Sequence, residues 1–371
     1  MRVDVVDPSA FTPPYDHALC AALARAGAQV RLQTSRFAYG PVPAPAGYQR
    51  VERFYRRGSR GAAGSRASFA AKLAQHVPDM LAYRRAVAAA DPPDVVHFQW
   101  LTVQPVDVHL LPRARPLALT AHDVLPREPR RGQLSAQRRL YERVDAVVVH
   151  SEHGRERLVA ALGVDPRKVH VIAHGAFEHL TRVAGERPLP PALAAVEKPV
   201  VLFFGLLRPY KGIDVLLDAW RDVDADAELW IVGMPRMDIG ALRAAAPPAV
   251  RWVPRFIADD EIAAYFRRAD LVVLPYREID QSGVLFSALA FGVPLVLSAV
   301  GGFPELAGDG AAALVAPGDR AALARELQRL LADDQARARL ARGARAAAAG
   351  RYSWDATATA HLRLYRALTA A

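Results

Sequence analysis

Cysteine occurs once in the 371 residues, at Cys20, so the chain can close no internal disulfide and offers no thiolate cluster to a metal. Redox chemistry therefore has no support. No apolar run approaches the ~18 to 20 residues that cross a bilayer, and Met1 to Asp7 carries acids where a secretion signal would be apolar. The expected location is the cytoplasm. Zinc spacings, an aromatic-basic RNA signature and a helix-turn-helix pattern are missing, which argues against nucleic acid as a partner. The acidic strings Asp222 Val223 Asp224 Ala225 Asp226 and Asp259 Asp260 Glu261 read as a polar loop and a helix start, so no metal site is expected. Lysine is scarce as well: of 48 basic residues only Lys72, Lys168, Lys198 and Lys211 are lysines.

What the chain does have is size, apolar content and a lopsided charge. A length of 371 residues exceeds one ordinary core and predicts two domains, and 52% hydrophobic residues suffice for both. Residues 1 to 190 hold 27 Lys and Arg against 17 Asp and Glu, whereas residues 191 to 371 hold 21 of each. The whole net charge of +10 thus lies in the first half. Its clusters are Arg53, Arg56, Arg57, Arg60 and Arg66, then Arg127, Arg130, Arg131, Arg138 and Arg139. Two readings stay open: an anionic partner, such as a membrane surface that would make the protein membrane-peripheral, or an arginine-rich bias on solvated faces.

One lysine sits in the most informative segment, Phe203 Phe204 Gly205 Leu206 Leu207 Arg208 Pro209 Tyr210 Lys211 Gly212 Ile213 Asp214. Val200 to Phe204 is an apolar run, as in a parallel strand buried on both faces, and ligands of such sheets gather at the strands' carboxyl ends. Gly212 lets the backbone approach an anion, and the helix from Asp214 to Ala219 offers free amides. Arg208 supplies a flat fork and Lys211 a mobile point charge, a pair suited to a diphosphate. The competing reading is a basic capped turn with surface ion pairs.

Apolar runs alternate with helical patterns along the chain. Strands are predicted at Val3 to Val6, Gln29 to Thr34, Val95 to Phe98, Leu117 to Thr120, Ala146 to His150 and Val169 to Ile172, with helices at His17 to Ala26 and Glu152 to Leu162. Ser151 caps the second helix and Gly163 ends it. Gly185 to Pro199 is a proline-rich break suited to a linker, and Gly58 to Ser68 reads as a mobile loop. A second series follows: strands Val200 to Phe204, Glu228 to Val232, Val250 to Val253, Leu271 to Leu274, Leu295 to Ser298 and Ala313 to Val315. Its helices are Asp214 to Trp220, Asp260 to Arg268, Ser287 to Phe291 and Arg320 to Ala332. The expected fold is α/β, two doubly wound parallel sheets with a cleft between them. The domains are placed at 1–188 and 199–351, with a last helix from Trp354 to Leu368, in 352–371, crossing back to the first.

With the second signature Asp280 Gln281 Ser282 Gly283 Val284 Leu285 Phe286 Ser287 Ala288 Leu289 Ala290 Phe291 Gly292 Val293 Pro294, the chain resembles the retaining family 4 glycosyltransferases of the GT-B fold. Thr120 Ala121 His122 Asp123, Val148 Val149 His150 Ser151, Val171 Ile172 Ala173 His174 Gly175, Gly301 Gly302 Phe303 Pro304 Glu305 and Tyr352 Ser353 Trp354 Asp355 match in order, so the likeness covers nearly the whole length. The resemblance implies two Rossmann-like domains, a nucleotide-diphosphate sugar bound mainly by the second, and an acceptor held by the first. It further implies front-face transfer with retention and no cofactor or required metal. The acceptor, whether glycan, glycolipid or small metabolite, is not named by the sequence.

Carried over by position, Lys211 contacts the diphosphate with Arg208 beside it, Gly205 and Gly212 shape the turn, and the amides around Ser282, Gly283, Val284 and Leu285 cradle a phosphate. His122 faces the donor sugar. Glu305 either bonds donor hydroxyls or opens a helix. On the acceptor side stand Tyr15 and Asp16 in the loop Thr12 to His17, and His97, Gln99 and Trp100 after a strand. Phe256 and Ile257 are candidates for the base pocket, while His150 and His174 read as structural.

Three departures from the family pattern stand out. Its two glutamates eight apart are Ile279 and Ser287 here, with Glu278 and Asp280 flanking the first. The arginine after the turn's first glycine is Leu206, and Arg208 shares that face at i+2 if the segment is extended. Paired glycines in the first loop are replaced by Thr12 Pro13 Pro14. These losses keep two rivals in play, a sugar-nucleotide epimerase of the same fold and a non-catalytic nucleotide-sugar-binding assembly partner.

Overall fold

The computed structural model describes residues 1–37, 42–56, 66–89, 91–101, 103–113, 115–126, 129 and 131–370, the side chains of residues 66–71 excepted. It divides into two compact units, Met1–Gly175 with Trp354–Ala371, and Ala176–Ser353. Among the described residues no helix is long and apolar enough to cross a membrane.

The first unit runs β1 (Arg2–Asp7), α1 (Pro13–Arg25), β2 (Gln29–Ser35), β3 (Gln49–Phe54), α2 (Arg66–Val87), β4 (Val95–Phe98), α3 (Gln104–Leu110), β5 (Leu117–Thr120), α4 (Gln133–Arg143), β6 (Ala146–Val149), α5 (Glu152–Leu162) and β7 (Val169–Val171). Its strands form a parallel sheet in the order β3-β2-β1-β4-β5-β6-β7. Side chains alternate across a strand, and the sheet accordingly divides its apolar residues between two cores. Val3, Val5, Val95, Ala118, Ala146 and Val148 face α1. Val6, Val96, Phe98, Leu117, Leu119, Val147 and Val149 pack on the opposite side with residues of α2 to α5. Ser151 caps α5 by accepting from Gly154 N at 3.0 Å, and Gly163, at φ 62°, ends it.

The second unit runs α6 (Pro191–Ala194), β8 (Val200–Phe204), α7 (Ile213–Trp220), β9 (Glu228–Val232), α8 (Gly240–Ala244), β10 (Val250–Val253), α9 (Asp259–Arg268), β11 (Leu271–Leu274), α10 (Gly283–Phe291), β12 (Leu295–Ser298), α11 (Phe303–Gly308), β13 (Ala312–Val315), α12 (Arg320–Ala332) and α13 (Asp334–Ala349). Its sheet is parallel in the order β10-β9-β8-β11-β12-β13. The chain then returns in α14 (Trp354–Ala370) to the first unit. There Trp354, Leu362 and Tyr365 are buried against α1, and a Cβ on Gly175 would stand 2.4 Å from the Trp354 ring.

Several expectations shift. The partition falls at Gly175/Ala176, ahead of the proline-rich segment, because residues 176–187 are tied into the second unit: Phe177 N donates to Phe286 O at 3.2 Å and Arg187 pairs with Asp260 at 2.7 Å. Helix α1 starts at Pro13 rather than His17, since proline is tolerated in a first turn. Helix α10 starts at Gly283 rather than Ser287. Strand β3 and helices α2 to α4 escape the sequence pattern: β3 and α4 are rich in arginine, α2 is weakly amphipathic with Pro78 inside it, and α3 is a run of only seven residues. Of the expected loop 58–68, residues 58–65 lie outside the described residues and Arg66 to Ser68 open α2. Arg57, Arg60, Arg127 and Arg130 also lie outside them.

Candidate active site

In the second unit β8 and β11 are neighbours whose connections leave in opposite directions, the switch point where open α/β sheets hold ligands. Glycines draw the loops at that edge together. Gly212, at φ 67°, lies so close to β11 that a Cβ would stand 2.0 Å from Pro275 O, and one on Gly301 would stand 1.9 Å from Ile279 O. A Cβ on Gly233 would meet Gly205 O at 1.9 Å. No side chain fits at these three positions.

Lys211 closes the 3-10 turn Pro209–Lys211 and is only 6% exposed, an unusual state for an ammonium group. Its Nζ lies 4.8 Å from the Tyr276 ring centroid. A Cβ on Gly205 would be 3.1 Å from that Nζ and 3.0 Å from Val284, so the lysine, the glycine turn and the start of α10 converge. Helix α10 opens at Gly283 with no side-chain cap bond from Ser282 and no acid in its first turn, so its first amides point outward without a capping side chain.

Arg208 is exposed with extended backbone, φ −133° and ψ 154°. Leu206 and Arg208 are both exposed while Leu207 between them is buried, so the two share a face. The nearby Arg277 is committed, bonding Pro209 O at 2.9 Å and pairing with Asp214. Ile279 and Asp280 are buried and Glu278 is exposed. Ser282, buried, stands at the N-cap of α10, and Ser287 donates its hydroxyl to Gly283 O at 3.1 Å. Glu305 sits in the first turn of α11 and accepts from Arg351 at 2.8 Å. Phe256 is 63% exposed after β10, and Ile257 is buried.

The first unit has its own switch point, between β1 and β4. There a pocket of about 930 Å³ is lined by Phe11, Gln99, Trp100, His122, Arg131 and Arg139, among others. Trp100 stacks on His122 with centroids 4.8 Å apart and 15° between planes. His122 is half-buried, and burial together with neighbouring His150, His174, His97 and His361 holds its imidazole well below the ordinary value of 6.5. It is therefore neutral at pH 7. His150, which burial lowers to about 4, is neutral too, and its Nδ1 lies 3.0 Å from Ile172 O. A carbonyl partner requires the proton on that nitrogen, so His150 Nε2 accepts from His122 Nδ1 at 3.3 Å. His122 Nε2 is then a lone pair, 3.2 Å from the Gln99 amide. Only an NH2 group satisfies it, and the opposite amide orientation strands the buried Gln99 Nε2 without a partner.

Three residues expected beside an acceptor lie inside the fold instead. His97 is fully buried, bonding Tyr365 OH at 2.5 Å and Thr120 Oγ1 at 2.8 Å. Tyr15 and Asp16 fall in the first turn of α1 on its inward face, Tyr15 edge-on to His122 with centroids 4.7 Å apart. Trp100 remains at the pocket, as does His122. Phe11, 57% exposed, and Tyr276 beneath Lys211 were not singled out by the sequence; in hindsight, Tyr276 follows directly on a strand end.

Residues 14–175 match the family model for a Glycosyl transferase 4-like domain, and residues 198–333 that for Glycosyl transferases group 1. A D-inositol 3-phosphate glycosyltransferase of Xylanimonas cellulosilytica is 31% identical over 313 residues, 74% of this chain and 72% of the relative. The chain belongs to the group 1 glycosyltransferases of family 4. The fold of this glycosyltransferase is GT-B: sucrose-phosphate synthase from Thermosynechococcus elongatus superposes with a TM-score of 0.74 at 21% identity, covering 100% of this chain and 99% of that one. Anabaena HepE, in complex with UDP and glucose, gives 0.71 at 20% identity, with 100% of both chains covered. The chain is thus a transferase that draws on a nucleotide-sugar donor, and membership decides for transfer over the epimerase and non-catalytic readings.

Proposed function

We propose that this enzyme moves a sugar, with retention and without a metal, from a nucleotide diphosphate held by its second unit to a hydroxylated acceptor held by its first. The observation that carries this reading is buried Lys211, poised over Gly205 at the uncapped start of α10. Departure of a nucleoside diphosphate builds negative charge on the leaving oxygen, and a preorganised cation with helix amides in a dry setting stabilises it without reorganisation. Arg208 adds a fork to the same diphosphate. Phe256 offers an aromatic face to the base. Glu305, tied to Arg351, is left a role on the donor only if that pair opens. Neutral His122 does not oppose the positive charge that grows at the anomeric carbon.

For the acceptor, Trp100 provides a flat face for a sugar or polyol ring, and Arg131 and Arg139 at the pocket provide charge for an anionic substituent. The acceptor named for the Xylanimonas relative, D-inositol 3-phosphate, has both features. Incubation with UDP-, GDP-, ADP- and TDP-sugars and D-inositol 3-phosphate should yield a glycoside of the donor's anomeric configuration by proton NMR, undiminished by EDTA. Inverted product, or transfer abolished by the chelator, sinks the mechanism; no product with any donor sinks the acceptor assignment.

We further propose that the enzyme works in the cytoplasm at an anionic membrane surface. Arg36, Arg50 and Arg56 line a shallow groove of about 620 Å³ along β3. Arg36→Glu with Arg56→Glu should cut co-sedimentation with phosphatidylglycerol vesicles several-fold at low salt, and equal binding rejects the idea.

A further inference from the structure

We infer that Asp7 and Asp16 act as one acid pair sharing a single proton, whose remaining charge anchors the 7–12 loop and through it sets Trp100 against His122. Asp7 ends β1 at the switch point of the first unit, and Asp16 stands in the first turn of α1. They are 0% and 1% exposed. Thr12 links them, its N–H donating to Asp7 Oδ2 at 3.3 Å and its carbonyl accepting from Asp16 N at 3.0 Å, and the buried Asp16 Oδ1 finds no donor among the described residues, which leaves the neighbouring Asp7 carboxyl as its partner. Neither forms an ion pair among the described residues. Two neighbouring carboxyls, away from water and without an ion pair, cannot both be charged.

The backbone decides where the charge stays. Asp7 Oδ1 accepts from Ser9 N at 3.2 Å, and its Oδ2 from Phe11 N at 2.6 Å and Thr12 N at 3.3 Å. Three amides favour the charged form of Asp7, so the proton resides on Asp16, which donates it to Asp7. The direction for each group agrees: burial and the Asp7 charge raise Asp16 well above the ordinary 3.8, while the three amides and Asp16 work against the burial that raises Asp7. Tyr15, Cys20 and Tyr48 feel the Asp16 carboxyl and Tyr55 that of Asp7, and Arg50 and Glu52 line a small cavity of about 20 Å³ beside Asp16.

The loop held in this way is not relaxed. Ala10 lies at φ 50°, a left-handed conformation that is strained for an alanine and persists only where neighbours enforce it. Downstream, Thr12 Oγ1 accepts from Trp100 Nε1 at 2.9 Å, and Phe11 packs on the Trp100 ring with centroids 5.1 Å apart. Asp7 and Asp16 are therefore positioning residues for the acceptor pocket. With Pro13 and Pro14, which stand in the loop where the family has paired glycines, they rigidify the segment.

The consequence for acceptor binding rests on the proposed function, but the pair itself is tested without turnover, so failure of one is distinguishable from failure of the other. In the full-length wild-type protein at pH 7, infrared difference spectra should show a buried protonated carboxyl band that Asp16→Asn removes. Hydrogen exchange of the Ser9, Phe11 and Thr12 amides should stay near wild type in Asp16→Asn, whose amide still donates to a charged Asp7. In Asp7→Asn it should rise tenfold or more, while β5 amides keep their protection. If Asp7→Asn does not fold, the infrared comparison decides alone. Absence of the band, or Asp16→Asn loosening the loop as much as Asp7→Asn, overturns the inference.

Discussion

Lys211→Ala is expected to lower kcat/KM by about 10²- to 10³-fold, the range found when a preorganised group that meets developing charge is removed. The loss should divide in an informative way. A cation held over a glycine turn meets the diphosphate in the ground state as well, so donor affinity falls, yet the larger part should appear in kcat because the leaving oxygen gains charge as the bond breaks. Lys211→Arg should recover little, since the compact ammonium sits between the Tyr276 ring, at 4.8 Å, and the Gly205 turn, and a broader planar guanidinium cannot place its charge at the same point. Steady-state kinetics with calorimetric donor titration measures both parts, and unchanged kinetics would remove Lys211 from the chemistry.

Stability should fall steeply on mild acidification. His97, His122, His150, His174 and His361 cluster around Tyr15, Trp354 and Tyr365 in the first unit, and burial lowers all five; His150 and His361 lie at about 4 against an ordinary 6.5. Between pH 6.5 and 4 the unfolded chain binds protons that the folded chain refuses, so stability is complete above 6.5 and drains away as pH falls. At pH 5 His150 and His361 together account for a loss of about 4 kcal/mol, a large part of the ~5 to 15 kcal/mol typical of a domain. The proton held by Asp16 acts in the opposite sense, because the folded state binds it more tightly than the unfolded one, but it is one group against five. Urea titrations from pH 7.5 to 4.5 test this. A midpoint independent of pH across that span would show that the cluster opens to water or is charged in the native state.

The strands of the second unit were legible because they are short, apolar and separated by glycine and proline, whereas the short helices α6 and α8 were not read. Val200–Phe204, Glu228–Val232, Leu271–Leu274 and Leu295–Ser298 are strands with the expected bounds. Motif spacing also drew attention to the turn of Gly205, Lys211 and Gly212, where the structure has a buried lysine and a glycine that must admit Pro275 O. In the first unit the reading failed where composition was ambiguous: β3 reads Gln49 Arg50 Val51 Glu52 Arg53 Phe54, an edge strand whose side chains largely face water. His97 and Tyr15 were misjudged because position after or before a strand says nothing about which way a side chain points. For Tyr15 the answer depended on α1 beginning at Pro13, four residues ahead of the expected start.

By itself, then, the order of residues determined two parallel-sheet domains, a glycine turn that carries Arg208 and Lys211, and membership of a glycosyltransferase family, because these rest on hydrophobic alternation and on backbone geometry that particular glycines impose. Tertiary structure alone decided that Asp7 and Asp16 meet, that five histidines share one core with the returning helix α14, and that His122 is neutral with its lone pair toward Gln99. Those properties come from burial and from contacts between elements as far apart in sequence as His97 and Tyr365, and no local pattern encodes them.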